Sequence, residues 1–475
     1  MNRQNFLGHL ALALTVVLLA AFLGQMRRWH NEHASQAPSQ TEEVEQIKHV
    51  PLTEDPAQYD ESEVLVRFRA GTSEATIERL AATKNDRVED HFEFVSNYAV
   101  IEDEDGMDAE AVAREYRSMP EVEYAEANAF IELDPQENSM PDSLSESQDG
   151  TPNDPLLGEQ WALINTGQRE GKAAADISAL KAWMNKTTGS DKVVVAVLDS
   201  GVNYHHQDLA ANIWTRPAAL APYVDAQIGT INDLNGYDAA ENDGDPMDEN
   251  GHGTHCAGIV GAQGNNNEGI AGVNWTVQIM PLRFMDANGM GTTKDAIEAI
   301  NYVIERKRAG VNVRVINASW GSKRYSKALE DAIREAGEEG ILFVAASGNS
   351  TEDTDRSPHY PSAYQLPNVL SVAALNRRDE LTSFSNYGAK TVHIAAPGAE
   401  ILSTWLGTDY EEHSGTSMAS PVVAGVAALV LSTEPDLSVK ELRERLLKTV
   451  DQLDALSGKV ASGGRVNAAR AVGLD

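Results

Sequence analysis

The chain has 475 residues, of which 42% are hydrophobic, and its strongly apolar stretch lies near the N-terminus. This composition excludes a protein with several membrane spans and favours one large and one small globular domain. The net charge of −34 disfavours nucleic acid as a partner, and the single cysteine, Cys256, excludes an intrachain disulfide.

The first predicted element is an export segment over residues 1–29. Its apolar part, residues 6–24, has the length of a signal peptide. No small-residue cleavage motif follows, and the trailing Arg27 and Arg28 are typical of an anchor. We therefore expect export to the extracellular space or cell envelope, with the segment either removed or kept in contact with the membrane. Residues 30–60, rich in Pro, Gln and Glu, predict a disordered linker.

A small domain is predicted over residues 61–132. Strand-like apolar runs and two helical patterns follow one another in the order βαββαβ, which is typical of a ferredoxin-like α+β domain. An independent binding module is the alternative, because such domains have many functions. Residues 133–150, rich in Ser, Asp, Glu and Pro, predict an exposed acidic linker that is open to cleavage.

The large domain, residues 151–475, alternates strand and helix patterns and therefore predicts an α/β fold with a parallel sheet. The uninterrupted apolar run over residues 193–198 predicts a buried strand with Asp199 at its carboxyl end. A second such run, over residues 341–346, leads to Asn349. Groups that act on ligands collect at this edge of an open α/β sheet.

Two further residues lie at predicted helix starts. His252 stands between two glycines, directly before a stretch of small residues that suits a helix packed closely on the sheet. Ser417 precedes a segment that is apolar all round, which predicts a buried helix with Ser417 in its first turn. The free amides and the dipole of such a helix start favour developing negative charge.

Together, these residues match the requirements of acyl transfer. Ser417 can act as the nucleophile, His252 as general base and acid, and Asp199 as the group that orients the imidazole. Asn349 and the backbone amide of Ser417 can bind the oxyanion. Taken singly, each has a simpler interpretation as a turn, loop or helix-capping residue. Their joint occurrence at strand and helix ends favours catalysis.

The motifs GHGTHCAG, AASGN and SGTSMASP, in the order acid, base, nucleophile, resemble those of subtilisin-like serine proteases, with the thermitase branch closest in pattern. The resemblance runs from about Thr151 to the C-terminus. It implies a three-layer fold with a central parallel sheet, preceded by an inhibitory propeptide formed by the small domain. The propeptide would be a partner of the enzyme within its own chain.

The same resemblance implies residues that bind substrate. Two backbone edges would pair with an extended peptide, and they are formed by Ser319, Trp320 and Gly321 and by Ala346, Ser347 and Gly348. A buried indole is an equal alternative for Trp320. His359 aligns with the rear of the first specificity pocket, where it could favour a polar or acidic side chain, and its alternative is a surface loop residue.

Calcium is the expected cofactor. The loop over residues 238–248 concentrates oxygen ligands, although a solvated acidic loop is the alternative. In the thermitase-like pattern its ligands are Asp238, Asp243 and Asp245, while Met247 replaces a side-chain oxygen. The second implied set would tie the start of the large domain to its core: Asp154, Asp208, Gln263, Asn266, Glu268 and Ile270.

The sequence thus predicts an exported serine endopeptidase that processes itself, is stabilised by calcium and acts on peptides or proteins. Two alternatives stay open: a cell-envelope processing protease of narrow specificity, and a catalytically silent peptide-binding scaffold. A thiol enzyme is disfavoured, because Cys256 lies among small apolar residues typical of a buried helix.

Overall fold

The computed structural model describes residues 59–92, 95, 97–139 and 151–474. The predicted export segment, the linker up to residue 58 and residues 140–150 lie outside this part of the chain. The domain boundaries proposed above therefore stay predictions, while the elements of both domains can be described.

The small domain has the predicted βαββαβ order. Its elements are β1 (Tyr59–Phe68), α1 (Glu74–Ala82), β2 (Asp86–His91), β3 (Tyr98–Asp103), α2 (Ala109–Arg117) and β4 (Val122–Glu132). The four strands form an antiparallel sheet in the spatial order β4-β1-β3-β2. Alternation along β1 separates two faces: Val64 and Val66 pack under the helices, whereas Leu65 packs with core residues of the large domain.

The strands of the rest of the chain are β5 (Glu137–Ser139), β6 (Gly189–Asp199), β7 (Tyr223–Asp225), β8 (Gly229–Ile231), β9 (Tyr237–Asp238), β10 (Thr276–Arg283), β11 (Met290–Thr292), β12 (Val313–Ala318), β13 (Leu342–Ala346), β14 (Val369–Leu375), β15 (Ile394–Pro397), β16 (Ile401–Thr404), β17 (Tyr410–Ser414), β18 (Asp451–Gln452) and β19 (Gly464–Arg465). Nine of them form the central sheet, in the order β18-β19-β15-β14-β13-β12-β6-β10-β9. All neighbours in this sheet are parallel except β18 and β19. The predicted α/β class is confirmed.

Helices cover both faces of the central sheet. They are α3 (Ala179–Met184), α4 (His252–Gly261), α5 (Thr293–Arg308), α6 (Lys327–Glu338), α7 (Thr416–Thr433), α8 (Val439–Lys448) and α9 (Ala468–Ala471). Successive residues of β6 lie on opposite faces of the sheet. Val195 belongs to the core on one face, with α4 and α7, and Ala196 belongs to the core on the other face, with α5 and α6. This is the predicted three-layer arrangement.

The central helix α7 is apolar all round, as predicted. It is the one described helix that is long and apolar enough to cross a membrane. Because most of it is buried inside the domain, we interpret it as the core helix of the large domain. Its N-terminus lies among the carboxyl ends of the central strands, where the predicted site residues meet.

Candidate active site

Asp199 and His252 are in direct contact at the end of β6 and the start of α4. The Nδ1 atom of His252 lies 2.6 Å from Oδ1 of Asp199, and both side chains are buried. Burial alone would lower the pKa of His252, but the neighbouring carboxylate of Asp199 raises it above its ordinary value overall. Gly253 makes this contact sterically accessible, since a Cβ there would lie 2.0 Å from the carbonyl oxygen of Gly201. The carboxylate therefore fixes one imidazole nitrogen and leaves Nε2 to exchange protons.

Ser417 lies in the first turn of α7, as predicted, and is fully buried. Its hydroxyl donates to the carbonyl oxygen of Ser319 at 2.9 Å. Among the described residues, Nε2 of His252 has no hydrogen-bond partner. The hydrogen bond from Ser417 to His252 that acyl transfer requires is thus not formed here. Such bonds are often loose before a substrate binds.

Asn349, three residues after β13, is held in one orientation by the helix start. Its Oδ1 atom accepts hydrogen bonds from the amide and the hydroxyl of Thr416, both at 2.9 Å. Its Nδ2 atom donates to the carbonyl oxygen of Pro135 at 3.1 Å. The amide predicted to bind an oxyanion therefore already faces a peptide carbonyl.

That carbonyl belongs to a segment we call the tail, residues 133–136, which links β4 to β5. Before the tail, β4 pairs antiparallel with β11. At the first residue of the tail, the amide of Leu133 donates to the carbonyl of Gly289 at 3.1 Å. After it, β5 pairs antiparallel with β17. The tail consequently crosses the site between two strands of the large domain.

The strand β11 is a contact surface that the sequence interpretation missed. Gly289 and Gly291 flank Met290, and a Cβ on Gly289 would lie 2.8 Å from the side chain of Leu133. Two glycines around a single larger residue were the available signal, since glycine permits close approach of another chain segment.

The predicted substrate-binding residues lie at the ends of two neighbouring strands. Ser319, Trp320 and Gly321 follow β12, whereas Ala346 ends β13 and Ser347 and Gly348 come after it. The indole of Trp320 is buried and donates to the carbonyl oxygen of Leu198 at 2.8 Å. The buried-indole alternative thus describes this side chain, so substrate could meet Trp320 only through its backbone.

The second implied calcium set, which would tie the start of the large domain to its core, comes together around the buried carboxylates of Asp154 and Asp208. Asp208 accepts hydrogen bonds from the side-chain amide of Asn266 at 2.7 Å and the backbone amide of Ile270 at 2.9 Å. Asp154 accepts from the backbone amide of Asn266 at 3.2 Å, and burial raises its pKa, with the charge of Asp208 adding to the effect. The amide of Gln263 donates to the carbonyl of Asp208 at 2.7 Å. Carboxylate oxygens are the ligand type that calcium takes, but each carboxylate oxygen of Asp154 and Asp208 already accepts a hydrogen bond, so a calcium site here stays a prediction.

Glu268, the sixth member of that set, is tied to it through its backbone amide, which donates to Oδ1 of Asn266 at 2.9 Å. The first predicted set, Asp238, Asp243 and Asp245 in the loop over residues 238–248, is also held by protein partners. Oδ2 of Asp238 already accepts from Arg283 at 2.5 Å, and its other oxygen accepts two backbone amides. Oδ1 of Asp243 accepts a hydrogen bond from the backbone amide of Asp245 at 2.8 Å, and the hydroxyl of Tyr204 donates to Oδ1 of Asp245 at 2.5 Å. A site here stays a prediction without support from these contacts.

Cys256 lies on α4, buried beneath the site. Its thiol is 3.5 Å from the carbonyl oxygen of Ser417. Burial raises the pKa of this thiol well above its ordinary value, and the charge of Asp199 adds to the rise. A thiol that stays protonated is a poor nucleophile, so these contacts agree with a packing role.

Comparison with known proteins places both domains in described families. Residues 190–470 match the subtilase family, and residues 45–128 match the fervidolysin N-terminal prodomain. The thermophilic serine proteinase of Bacillus sp. (strain AK1) is 34% identical, over 90% of this chain and 91% of that protein. Thermitase of Thermoactinomyces vulgaris is also 34% identical, over 68% of this chain and 99% of that protein.

Two more relatives extend the comparison. The halolysin-like extracellular serine protease Nep of Natrialba magadii is 34% identical, over 88% of this chain and 68% of that protein. A solved protease structure from Pseudoalteromonas arctica is 30% identical and covers 68% of this chain and 98% of its own, with a TM-score of 0.55. Since the family match spans more than half of the sequence, this chain belongs to the subtilase family of serine peptidases and has an N-terminal prodomain of the fervidolysin type.

Proposed function

We propose that this subtilase is an exported endopeptidase, made as a zymogen that its own active site processes. The observation that supports this most is the 2.6 Å contact between Asp199 and His252, next to the N-terminus of the helix that presents Ser417. The amide of Asn349, aimed at a peptide carbonyl, adds the donor that the chemistry needs.

In the proposed reaction, the hydroxyl oxygen of Ser417 attacks the carbonyl carbon of the peptide bond, and Nε2 of His252 accepts the hydroxyl proton. The negative charge that develops on the carbonyl oxygen is stabilised by Nδ2 of Asn349 and by the backbone amide of Ser417. The imidazolium then gives its proton to the leaving nitrogen, and the C–N bond breaks. An acyl ester on Ser417 remains.

Water completes the cycle. His252 takes a proton from the water molecule that attacks the ester, and it returns a proton to the oxygen of Ser417 as the ester bond breaks. Asp199 holds the Nδ1–H of the imidazole throughout, which fixes the tautomer and stabilises the imidazolium.

The small domain is the proposed inhibitor of this site. The carboxylate of Glu126 on β4 accepts hydrogen bonds from the hydroxyl of Ser326 at 2.8 Å and from the amide of Ala328 at 3.0 Å, at the N-terminus of α6. Arg67 pairs with Asp331 at 2.6 Å. These contacts anchor the sheet from which the tail enters the site, so the prodomain blocks substrate until it is cut and released.

Calcium at the cluster of Asp154 and Asp208 is part of the proposal. When bound, the ion would offset the repulsion between these two carboxylates and join the first residues of the large domain to its core. It would stabilise the fold by binding the folded state only. No step of the peptide hydrolysis involves it.

Export is supported by the extracellular designation of the Natrialba relative. Retention of residues 6–24 as a membrane anchor is an alternative that the same segment allows, and it lies outside the described residues.

Expression of the full chain tests the proposal. Wild type should lose the region before about Thr151, whereas Ser417→Ala should stay full length by intact mass. Ser432→Ala is the matched control, because this serine lies on the same helix and only donates to the carbonyl of Leu429. Equal processing of wild type and Ser417→Ala would refute self-activation. A processed wild type that leaves casein intact would favour the scaffold.

A further inference from the structure

We infer that this protease prefers an acidic residue directly before the bond it cuts, and that His359 is the residue that selects it. The inference rests on the proposed endopeptidase function and adds the class of substrate.

His359 lies between the two strand-end segments that would hold substrate, and we call the space that faces its ring the pocket. Its ring packs closely against Gly321 and Gly348. A Cβ added to Gly321 would lie 2.3 Å from Cε1 of the ring, and a Cβ added to Gly348 would lie 3.0 Å from Cδ2. Gly348 directly precedes Asn349, the predicted oxyanion donor. The ring of His359 therefore lies close to the residue that would bind the scissile carbonyl.

The imidazole of His359 is buried and has hydrogen-bonding capacity that a ligand could use. The residue is 3% exposed with the tail in place, and among the described residues neither ring nitrogen makes a hydrogen bond of good geometry, although Nε2 lies within ion-pair distance of a carboxylate of the tail. Buried polar groups are nearly always hydrogen-bonded, and leaving one unpaired is costly. A substrate side chain that enters the pocket would remove that cost, and it must bring an acceptor for an N–H group.

The chain itself places a carboxylate there. Oδ2 of Asp134, in the tail, lies 3.3 Å from Nε2 of His359. The carbonyl that faces Asn349 belongs to the next residue, Pro135. In the tail, one residue supplies the side chain that reaches His359 and the next residue supplies the carbonyl that reaches Asn349. In a peptide that is cut, a single residue must supply both the side chain and the carbonyl. The tail shows which side chain the pocket accepts without presenting a bond for attack.

Among the described residues, the carboxylate of Glu352 also interacts with His359 and could oppose this preference. The charge of His359 contributes to lowering the pKa of Glu352, whose main cause is its hydrogen bond with Lys323. Lys323 pairs with Glu352 at 2.7 Å, and Ser357 donates to it at 3.1 Å. Since Glu352 is already compensated, an incoming carboxylate meets the N–H of His359 as the free partner.

Matched peptides that differ only in the residue before the cleaved bond test the inference. Processed wild type should show a kcat/KM for Asp or Glu roughly 10- to 100-fold above that for Asn or Gln, as expected for a charge-assisted hydrogen bond. His359→Leu should bring this ratio close to one, while His359→Gln, which keeps an N–H donor, should retain part of it. Each ratio is measured within one enzyme, so losses of folded protein cancel.

A wild-type ratio near one overturns the inference and leaves the proposed function intact, provided that the peptides are cut. A preference that survives in His359→Leu overturns the assignment to His359. Failure to cut any peptide or casein refutes the endopeptidase function, and the inference with it.

Discussion

The side-chain amide of Asn349 donates a hydrogen bond to the carbonyl oxygen of Pro135, 3.1 Å away, while its own oxygen accepts two from Thr416. One face of the amide is thereby fixed to the start of α7, and the other is directed at a peptide carbonyl supplied by the prodomain tail. In the proposed reaction, this donor would meet a substrate carbonyl in place of that of Pro135 without rearrangement.

Replacing Asn349 should therefore slow the reaction without abolishing peptide binding. Asn349→Ala, processed in trans by a trace of wild type, should lose about 10²- to 10³-fold in kcat with little change in KM. Steady-state hydrolysis of one peptide measures this. Asn185→Ala, a substitution at an exposed helix end, is the control and should match wild type. A loss of kcat under about threefold would show that Asn349 does not bind the oxyanion.

Glu126 should control how long the prodomain stays on the enzyme. Its carboxylate accepts hydrogen bonds at the start of α6, and hydrogen bonds to charged groups contribute about 1.5–3 kcal/mol each. Glu126→Ala in the full chain should shorten the lag before activity appears roughly tenfold or more, in a continuous assay of the purified zymogen. Glu104→Ala, on the exposed side of the same domain, should keep the wild-type lag. Identical lags in both variants would exclude Glu126 as an anchor.

Much of the fold could be predicted from local hydrophobic patterns in the sequence. The apolar run before Asp199 and the all-round apolar segment after Ser417 each specify a buried element, and the polar residue beside each is carried to the same sheet edge. The residues could be placed together because parallel strands share one carboxyl edge.

Contacts between distant parts of the chain could not be predicted from the sequence. Asp238 carries the residue type of a calcium ligand, but Arg283 on the neighbouring strand β10 already neutralises it. The path of the tail depends on pairing of β4 with β11, which nothing near Asp134 encodes. The indole of Trp320 is turned inward by a hydrogen bond to Leu198, a partner 122 residues away.

Calcium removal should destabilise the enzyme. At a calcium concentration about 100 times its dissociation constant, a single site contributes about 2.7 kcal/mol, so for a chain of this size excess chelator should lower the Tm by roughly 3–4 °C. Asp154→Asn should begin with a lower Tm and respond less to chelator, whereas Asp436→Asn, at an exposed position, should behave as wild type. Scanning calorimetry of the Ser417→Ala chain avoids self-digestion. A Tm of the Ser417→Ala chain that chelator leaves unchanged would show that calcium does not stabilise this protein.

Activity should be lost on the acid side as His252 takes up a proton. Only the neutral imidazole can accept the proton of Ser417, and the net effect of burial and of the Asp199 carboxylate is to raise the pKa of His252 above 6.5. Activity is therefore full above that pKa and falls as the pH drops through it. The dependence of kcat/KM on pH, measured with an uncharged peptide, should show this single limb above about pH 6.5. A profile that stays level down to about pH 5 would contradict the role of His252.

The role of Ser417 as the nucleophile is central to the proposed function, and a serine-directed sulfonyl fluoride tests it directly. Mass mapping of processed enzyme treated with phenylmethylsulfonyl fluoride should find one adduct, on Ser417, in proportion to the activity lost. Loss of activity with Ser417 unmodified, or full peptide hydrolysis by Ser417→Ala, would contradict the account.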